Sequence, residues 1–575
     1  MVTRADGIPA PTAPEGSVRA VPVRSPATGL RPEGIQPYPL DRLVGLLDAT
    51  RSDGQSITGQ AETGQAKTGQ AGPGVTGVAF DSRQVRPGDL YVGLPGANTH
   101  GARFATAAVR AGAVAVLTDA AGGELIDSRA DGVPEVPVLL VADPRRAMSL
   151  AAAEVYGRPA TKLIMVGVTG TNGKTTTSDL VAAALRATGR HCGVIGTLGY
   201  FLDGEELPGI RTTITTPESP DLQALLAVLT ERGADAVVME VSSHALALGR
   251  VDEIVFDVAG FTNLGRDHLD FHGSEQAYFE AKADLFTARR ARRAVINIDD
   301  PRGAELVSRS AAGGLDVATT SLAGAPGVGV DHYACLSYDA TEDPVAVSVR
   351  TPTGALDFRL GLPGSYNVAN AITALAMVDR IGIDLTAAAA GLAHVAVPGR
   401  LQRVELAGGP RAYVDFAHTP QAIRSVLTEL RAAVGDGKLI TVVGCGGDRD
   451  PAKRGPMGAA AAELSDLVII TDDNPRSEDP RLIRAAALTG AREQADRQPR
   501  PVEIVDGGDR AAAIARALAA AGSDDVVAVL GKGHERGQEI NGTVLAFDDA
   551  EQLVASWREP AAGARAESTR EAGRA

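Results

Sequence analysis

An α/β fold in several domains is predicted by three observations. The chain has 575 residues, and a domain usually takes about 150, so three or four are expected. Short apolar runs alternate with Ala-rich helical stretches along most of it, which is the sequence sign of βα units. The polar, glycine-containing motifs fall directly after apolar runs, and open α/β sheets bind ligands beyond the carboxyl ends of their strands.

Residues 1–37 are rich in Pro, Gly, Arg and Ala without periodicity, and read as a disordered extension. Residues 40–47 suit a short amphipathic helix. An insert over 51–74 surrounds a five-residue repeat, Thr-Gly-Gln-Ala at 58, 63 and 68. A period of five fits no solenoid and offers no apolar residues to pack. From Val75 the pattern becomes ordered: strand 89–94, helix 104–111, strand 114–118. A stronger βα unit follows, with a strand over 163–168 and a helix over 177–187; strands at 236–239 and 255–261 extend a parallel sheet. Residues 345–349 and 356–360 alternate as antiparallel strands do. A last block has strands at 412–415, 439–443, 467–470 and 526–530, and the tail from 560 is patternless.

Lys and Arg number 56 against 71 Asp and Glu, a net charge of −15. That balance excludes a nucleic-acid binder relying on a basic face, but not small anions held in a local cationic pocket. No apolar stretch approaches the roughly 18 residues of a membrane span. The first 31 residues lack the apolar core of a secretory signal. Cys192, Cys335 and Cys445 are too dispersed for a disulfide framework or a C-x-x-C site. A cytoplasmic, multidomain, soluble protein is the class left.

Val168-Thr169-Gly170-Thr171-Asn172-Gly173-Lys174-Thr175-Thr176 lies between a strand and a helix. Glycine lets backbone amides turn toward phosphate oxygens, Lys174 adds a point charge, and Thr175 offers Mg²⁺ a hydroxyl. The strict spacing asks for Gly where Val168 stands. Mg²⁺ needs hard ligands; Glu240 ends a strand, and Asn263, Asp267, His268 and Asp270 follow the next. The polar motifs of two blocks fall after their strands, so a cleft between the blocks is the expected place of reaction.

Thr-Gly-Thr-Asn-Gly-Lys-Thr-Thr (169–176), Glu-Val-Ser-Ser-His (240–244), Phe-Thr-Asn-Leu-Gly-Arg-Asp-His-Leu-Asp (261–270) and Pro-Gly-Ser-Tyr-Asn-Val-Ala-Asn (363–370) together resemble the Mur ligases. These are ATP-dependent enzymes that build the peptide stem of the bacterial cell-wall precursor. The variant phosphate loop is the form this family uses. The resemblance covers 75–556 and implies three α/β domains. These are a UDP-sugar-binding domain over 38–161, a central P-loop-type ATPase with a mostly parallel sheet over 162–398, and a Rossmann-like amino-acid-binding domain over 399–559. Two segments resemble the members that add the third amino acid. They are the stretch from Asp81 to Val92 and Asp472-Asp473-Asn474-Pro475-Arg476, a diaminopimelate motif. A guanidinium such as Arg476 grips bidentately the extra carboxylate that separates diaminopimelate from lysine.

The resemblance implies these roles. Gly170, Thr171, Asn172, Gly173, Lys174, Thr175 and Thr176 hold ATP, with Asn263, Asn367, Asn370 and Asp415. Thr175, Glu240 and His268 bind Mg²⁺. Lys282 carries a carboxylated ε-amine, a further metal ligand. Arg400 and His418 close on the nucleotide. Phe80, Ser82, Ala97, Asn98 and Thr99 meet the uridine diphosphate. Thr215, Thr216, Ser242 and Arg250 meet the muramoyl dipeptide, with Ile214 and Leu248 departing from some relatives. Arg449, Asp473, Asn474, Pro475, Arg476, Gly531 and Glu535 take diaminopimelate, Glu535 accepting its distal ammonium. The glycines at 444–447 read as a loop that lets the amino acid approach the backbone, since the G-x-G-x-x-G spacing is incomplete. The implied substrates are UDP-N-acetylmuramoyl-L-Ala-D-Glu, diaminopimelate and ATP, acted on by a monomer. A lysine-adding member, a folylpolyglutamate synthetase and a P-loop switch that makes no amide stay open as alternatives.

Overall fold

The structure is a computed structural model describing residues 30–51, 73–127, 136–207, 214–325, 330–340, 342 and 344–557. Most of the N-terminal extension, the repeats and the tail lie outside the described residues. What is described forms two compact units, 30–401 and 402–557. Among the described residues no helix is long and apolar enough to cross a membrane.

The first unit opens with a five-stranded sheet, in order Thr50–Arg51, Val138–Leu140, Ala115–Thr118, Asp89–Gly93 and Gly77–Ala79, parallel except at its first edge. The helix Leu40–Leu46 buries Leu40 and Leu43 against Leu90, Val92 and Leu117. Arg51 and Gly74, read from sequence as insert, belong to short strands at its two ends. Residues 30–37, read as patternless, are anchored by charge. Arg31 meets Asp89 at 2.9 Å and also bonds the Tyr156 hydroxyl. The amides of Glu33 and Gly34 donate to the Glu231 carboxylate at 3.0 and 2.7 Å. One charged anchor leaves no periodicity to read.

An eleven-stranded sheet follows. Its parallel centre runs in the order Cys192–Gly196, Ala236–Glu240, Ile164–Thr169, Val258–Phe261, Arg293–Asn297, Asp316–Ser321 and Asp331–Asp339. Both faces are covered at its middle, so strands such as Ile164–Thr169, Ala236–Glu240 and Val258–Phe261 are largely apolar and buried, while Asp331–Asp339 toward the edge is mostly exposed. Val166, Val168 and Val238 face the helices Lys174–Ala187 and Ser365–Arg380, while Met165, Val237 and Met239 face Ser219–Glu231. The expected antiparallel pair, Val345–Thr351 and Gly354–Leu360, is not separate: it continues this sheet through Asp331–Asp339. The phosphate-loop helix begins at Lys174, three residues before the expected start, because its first turn is the polar Lys-Thr-Thr that carries no apolar period.

The second unit is a six-stranded sheet, in order Gln402–Val404, Arg411–Asp415, Val526–Leu530, Leu439–Cys445, Leu467–Asp472 and Glu503–Gly508, parallel but for its first strand. A hairpin, Gly537–Ile540 with Thr543–Ala546, follows.

Asp179 stands one turn after Thr175 on the phosphate-loop helix, and its Oδ2 has no hydrogen-bond partner among the described residues. Burial, then the charge of Glu240, pushes its carboxyl up to about 7 from 3.8. A carboxyl raised in the folded state favours folding below its unfolded value and loses that contribution as pH rises through the folded one. Asp179→Asn is therefore expected to raise Tm at pH 8 by about 5 °C, and by less at pH 5. Thermal melts at the two pH values check this, and an equal shift at both contradicts it.

Candidate active site

The strand Ile164–Thr169 delivers the chain into the loop 170–173, and Gly173, at φ 84°, opens the helix. A Cβ on Gly170 would lie 1.9 Å from the Thr262 hydroxyl, and one on Gly173 2.6 Å from Asn370 Oδ1, so both positions require glycine. The next strand end clamps the loop. Asn172 N–H donates to Asn263 Oδ1 at 3.0 Å, Asn263 Nδ2 donates back to Asn172 O at 3.1 Å, and the Thr262 hydroxyl donates to the same carbonyl at 2.6 Å. Thr171 Oγ1 accepts from Gly265 N–H at 2.8 Å. Lys174 Nζ curls over the loop, donating to Gly170 O at 2.9 Å and Thr171 O at 3.0 Å. Burial holds this ammonium below its ordinary value. Thr176 is buried behind it.

Glu240, 2% exposed, ends its strand beside the helix start. Its Oε1 accepts from Thr175 Oγ1 at 2.9 Å and from Thr197 N–H at 2.8 Å; its Oε2 accepts from Thr197 Oγ1 at 3.1 Å. Arg400 Nη2 reaches Thr175 Oγ1 at 3.1 Å. The residues expected at the dipeptide lie around the same carboxylate. Thr215 Oγ1 is 3.2 Å from Thr197 Oγ1, and Thr216 Oγ1 donates to Glu240 O at 2.8 Å. Ser242 N–H donates to Thr216 Oγ1 at 3.1 Å, and Arg250 Nη1 donates to Thr216 O at 3.1 Å while pairing with Glu218 at 2.9 Å. Thr197 and Glu218 carry no motif of their own and were missed from sequence.

Lys282 is 1% exposed and donates to Gly170 O at 2.8 Å. Burial, and then the charge of Lys174, holds its amine well below the ordinary range. Tyr278 braces it, with the ammonium position 4.5 Å from the ring centroid and the phenol 3.1 Å from Thr171 Oγ1. His268, at φ 53°, lies beside Asp267 at 3.3 Å, and burial lowers it to about 4. Its ring packs edge-on to His244 at 4.8 Å and to Tyr278 at 6.1 Å.

Among the described residues no three His, Cys, Asp or Glu groups converge as a preformed metal centre. The pair that does meet, the Thr175 hydroxyl and the Glu240 carboxylate, consists of hard oxygen donors. It suits Mg²⁺, which keeps water and phosphate for its other positions.

Asn367 Nδ2 donates to Pro363 O at 2.6 Å, and Asn370 Nδ2 to Asn367 Oδ1 at 3.3 Å, placing that motif against the phosphate loop at Gly173. In the five-stranded part, Phe80 and Ser82 are half-buried while Ala97, Asn98 and Thr99 are exposed.

In the second unit, Asp415 Oδ1 accepts from Ala417 N–H at 2.8 Å and its carbonyl accepts from Gly531 N–H at 3.0 Å; His418 Nδ1 lies 2.8 Å from Phe416 O. Arg476, at φ 52°, donates through Nη1 to Gly447 O at 2.6 Å and pairs with Glu539 at 3.3 Å. A Cβ on Gly447 would lie 2.0 Å from Pro475 O and one on Gly446 3.1 Å from Arg476 Nη1. These glycines thus admit the 475–476 turn, a reason the sequence reading did not include. Asn474 Nδ2 donates to Glu535 Oε2 at 2.8 Å, and Gly531, at φ 115°, leaves room for the Asp473 carboxylate. Arg449 is exposed, donating to Asp448 O at 3.3 Å. Lys532, Glu539 and the buried Arg454, which pairs with Glu478 at 2.8 Å, also shape this edge and were missed. Lys532 had a signal, its place inside Gly531-Lys532-Gly533-His534-Glu535.

A phosphate loop on a parallel sheet, with a strand-end carboxylate at its threonine, defines an ATP-dependent enzyme class. Three family models match: "Mur ligase family, catalytic domain" over residues 74–156, "Mur ligase middle domain" over 168–378 and "Mur ligase, glutamate ligase domain" over 399–533. A UDP-N-acetylmuramoyl-L-alanyl-D-glutamate--2,6-diaminopimelate ligase of Streptomyces avermitilis is 48% identical over 476 residues, covering 83% of this chain and 91% of that protein. One of Corynebacterium glutamicum is 44% identical over 490 residues, covering 84% and 92%. A solved structure under the same name matches at 32% identity and TM-score 0.59, covering 86% of this chain and 97% of that one. MurF of Acinetobacter baumannii, at 18% identity and TM-score 0.58 over 86% and 96%, shares the fold. The chain belongs to the Mur ligase family, and is an ATP-dependent ligase that forms amide bonds.

Lys174→Ala is expected to lower kcat by about 10² or more and to leave Tm without nucleotide within about 2 °C, since the change removes a desolvated ammonium whose hydrogen bonds go only to two loop carbonyls. Steady-state phosphate release with parallel melts checks this; an unchanged kcat removes Lys174 from the site.

Proposed function

We propose that this ligase joins diaminopimelate to the D-Glu γ-carboxylate of UDP-N-acetylmuramoyl-L-Ala-D-Glu, splitting ATP to ADP and phosphate. The observation that carries this is the strand edge of the second unit. There the turn after Leu467–Asp472 holds Arg476 on Gly447 O, and Asp473, Asn474 and Glu535 gather around Lys532 on the same edge. A cation for a carboxylate and carboxylates for an ammonium suit the distal end of diaminopimelate, where lysine offers the ammonium alone. The names of the relatives agree with this reading.

The phosphate loop binds ATP through its amides and Lys174, with Asn367 and Asn370 on the adenine side. Thr175 and Glu240, with His268 and a carboxylated Lys282, would hold Mg²⁺, which when bound neutralises charge on the phosphoryl oxygens. Burial shifts Lys282 toward the neutral amine, the form that attacks carbon dioxide to give a carbamate, which supports that assignment. Thr215, Thr216, Ser242 and Arg250 orient the dipeptide, and Phe80, Ser82, Ala97, Asn98 and Thr99 receive the uridine diphosphate. The D-Glu carboxylate attacks the γ-phosphorus in line, giving an acyl phosphate and ADP. The neutral amine of diaminopimelate attacks the acyl carbon, and phosphate leaves from the tetrahedral intermediate. The residues supply positioning and charge stabilisation. Arg400, Asp415 and His418 are assigned to the nucleotide, and Arg449, Pro475 and Gly531 to the amino acid. Three domains, over 38–161, 162–398 and 399–559, acting as a cytoplasmic monomer, complete the reading.

The test is phosphate release with the nucleotide dipeptide and a panel of diaminopimelate, lysine and glutamate. Stimulation by diaminopimelate is expected. Lysine alone would overturn the specificity, and glutamate alone would favour a folylpolyglutamate synthetase. Arg476→Lys is expected to raise KM for diaminopimelate about tenfold or more through loss of the bidentate grip, with KM for ATP unchanged.

A further inference from the structure

Lys532 follows the left-handed Gly531 at the end of Val526–Leu530 and is 0% exposed. A buried lysine is costly unless paired, and three groups surround this one. Its Nζ donates to Glu535 Oε2 at 3.1 Å and to Asn474 Oδ1 at 3.3 Å, and lies 3.6 Å from Asp473 Oδ1. The Asn474 amide is thereby oriented. Its Oδ1 receives Lys532 and the Glu539 N–H at 2.9 Å, which turns its Nδ2 onto Glu535 Oε2 at 2.8 Å. Both bonds to Glu535 fall on Oε2, and its Oε1 takes part in neither. Asp473 is 6% exposed, and its Oδ1, the oxygen that faces Lys532, makes no hydrogen bond among the described residues, so the Lys532 charge is what balances it. The next cation inward, Arg510, pairs with Asp549, both 0% exposed, and donates to Leu530 O at 3.0 Å, which fixes the strand end before Lys532, while its charge also acts on Asp473 and Glu535.

Two carboxylates, Asp473 and Glu535, thus share one buried ammonium and keep one net negative charge between them. We propose that Lys532 is a positioning residue for the amino-acid substrate, locking Asp473, Asn474 and Glu535 together so that their remaining oxygens receive the distal ammonium of a diamino dicarboxylate. This rests on the reading of the second unit as the diaminopimelate site. Lys532 does not touch the substrate; it sets the oxygens that do, and removing it takes away the cation shared by the buried Asp473 and the half-buried Glu535.

The test uses the full chain and three Michaelis constants. Lys532→Met is expected to raise KM for diaminopimelate about tenfold or more while KM for ATP and for the nucleotide dipeptide change less than about twofold. If Met at that position prevents folding, Lys532→Gln keeps a donor without the charge and carries the same expectation. The double variant Lys532→Met with Glu535→Gln, which removes one of the two like charges, is expected to raise KM no further than Glu535→Gln alone. An additive rise, an unchanged KM for diaminopimelate, or an equal rise in all three constants overturns the proposal. Wild-type protein that releases no phosphate in response to diaminopimelate overturns the functional reading, and this inference with it. Wild-type activity with an indifferent Lys532→Met overturns the inference alone.

Discussion

The carboxylate of Glu240 is the point on which the first unit's chemistry depends. It is buried at a strand end and takes hydrogen bonds from three directions: the first turn of the phosphate-loop helix through Thr175, and the backbone and side chain of Thr197. Three segments distant in sequence are thus held to one group. Gly196 shows how tight the arrangement is, because a Cβ there would lie 2.3 Å from Glu240 Oε1. A buried carboxylate is tolerated when its lone pairs are met by donors, and here the donors are those that a phosphate or metal site also uses. Stability and chemistry compete for the same oxygens. Binding a cation at this carboxylate means replacing the Thr175 hydrogen bond with coordination, a small local change on an otherwise fixed frame.

The fold was legible wherever burial imposed a period. The run 163–168 read as a strand because both faces of a central parallel strand are covered, so every residue in it is apolar. The pair at 345–349 and 356–360 read as antiparallel because one face is more exposed. The continuity of that pair with the ATPase sheet was not legible. It depends on Asp331–Asp339 pairing parallel on one side and antiparallel on the other, a choice made by tertiary partners. The strands Cys192–Gly196 and Glu503–Gly508 were missed for a related reason. Each carries two glycines in a short stretch, so neither builds the β-branched run that marks a strand.

The site divides in the same way. The compact motif 170–176 was found because its backbone geometry requires glycine at fixed spacing, and 473–476 was found by its resemblance to a family motif. Thr197, Glu218, Tyr278 and Arg454 were not, since each acts from an ordinary sequence context and acquires a role through a contact across the fold. Lys282 is intermediate. Its sequence setting is a helix with alternating polar residues, which reads as solvated, yet it is buried against Gly170 O. Resemblance flagged it, and burial supplies the physical reason: an amine whose charged form is disfavoured by desolvation and by Lys174.

The two strand edges solve opposite electrostatic problems on one protein of charge −15. The phosphate-loop edge must receive polyanions, and it offers loop amides, Lys174 and Arg400 around a single buried carboxylate. On the proposed reading the edge of the second unit receives a zwitterion, and there Arg476 and the carboxylates of Asp473 and Glu535 have different partners. Opposite charges placed side by side would neutralise each other unless something held them apart. Arg476 is occupied by Gly447 O and Glu539, and the two carboxylates are tied instead to Lys532. Each group meets its own partner, so neither collapses onto the other. That separation distinguishes a carboxylate-bearing amine from a simple one, and it is built from hydrogen bonds inside the protein before any ligand arrives.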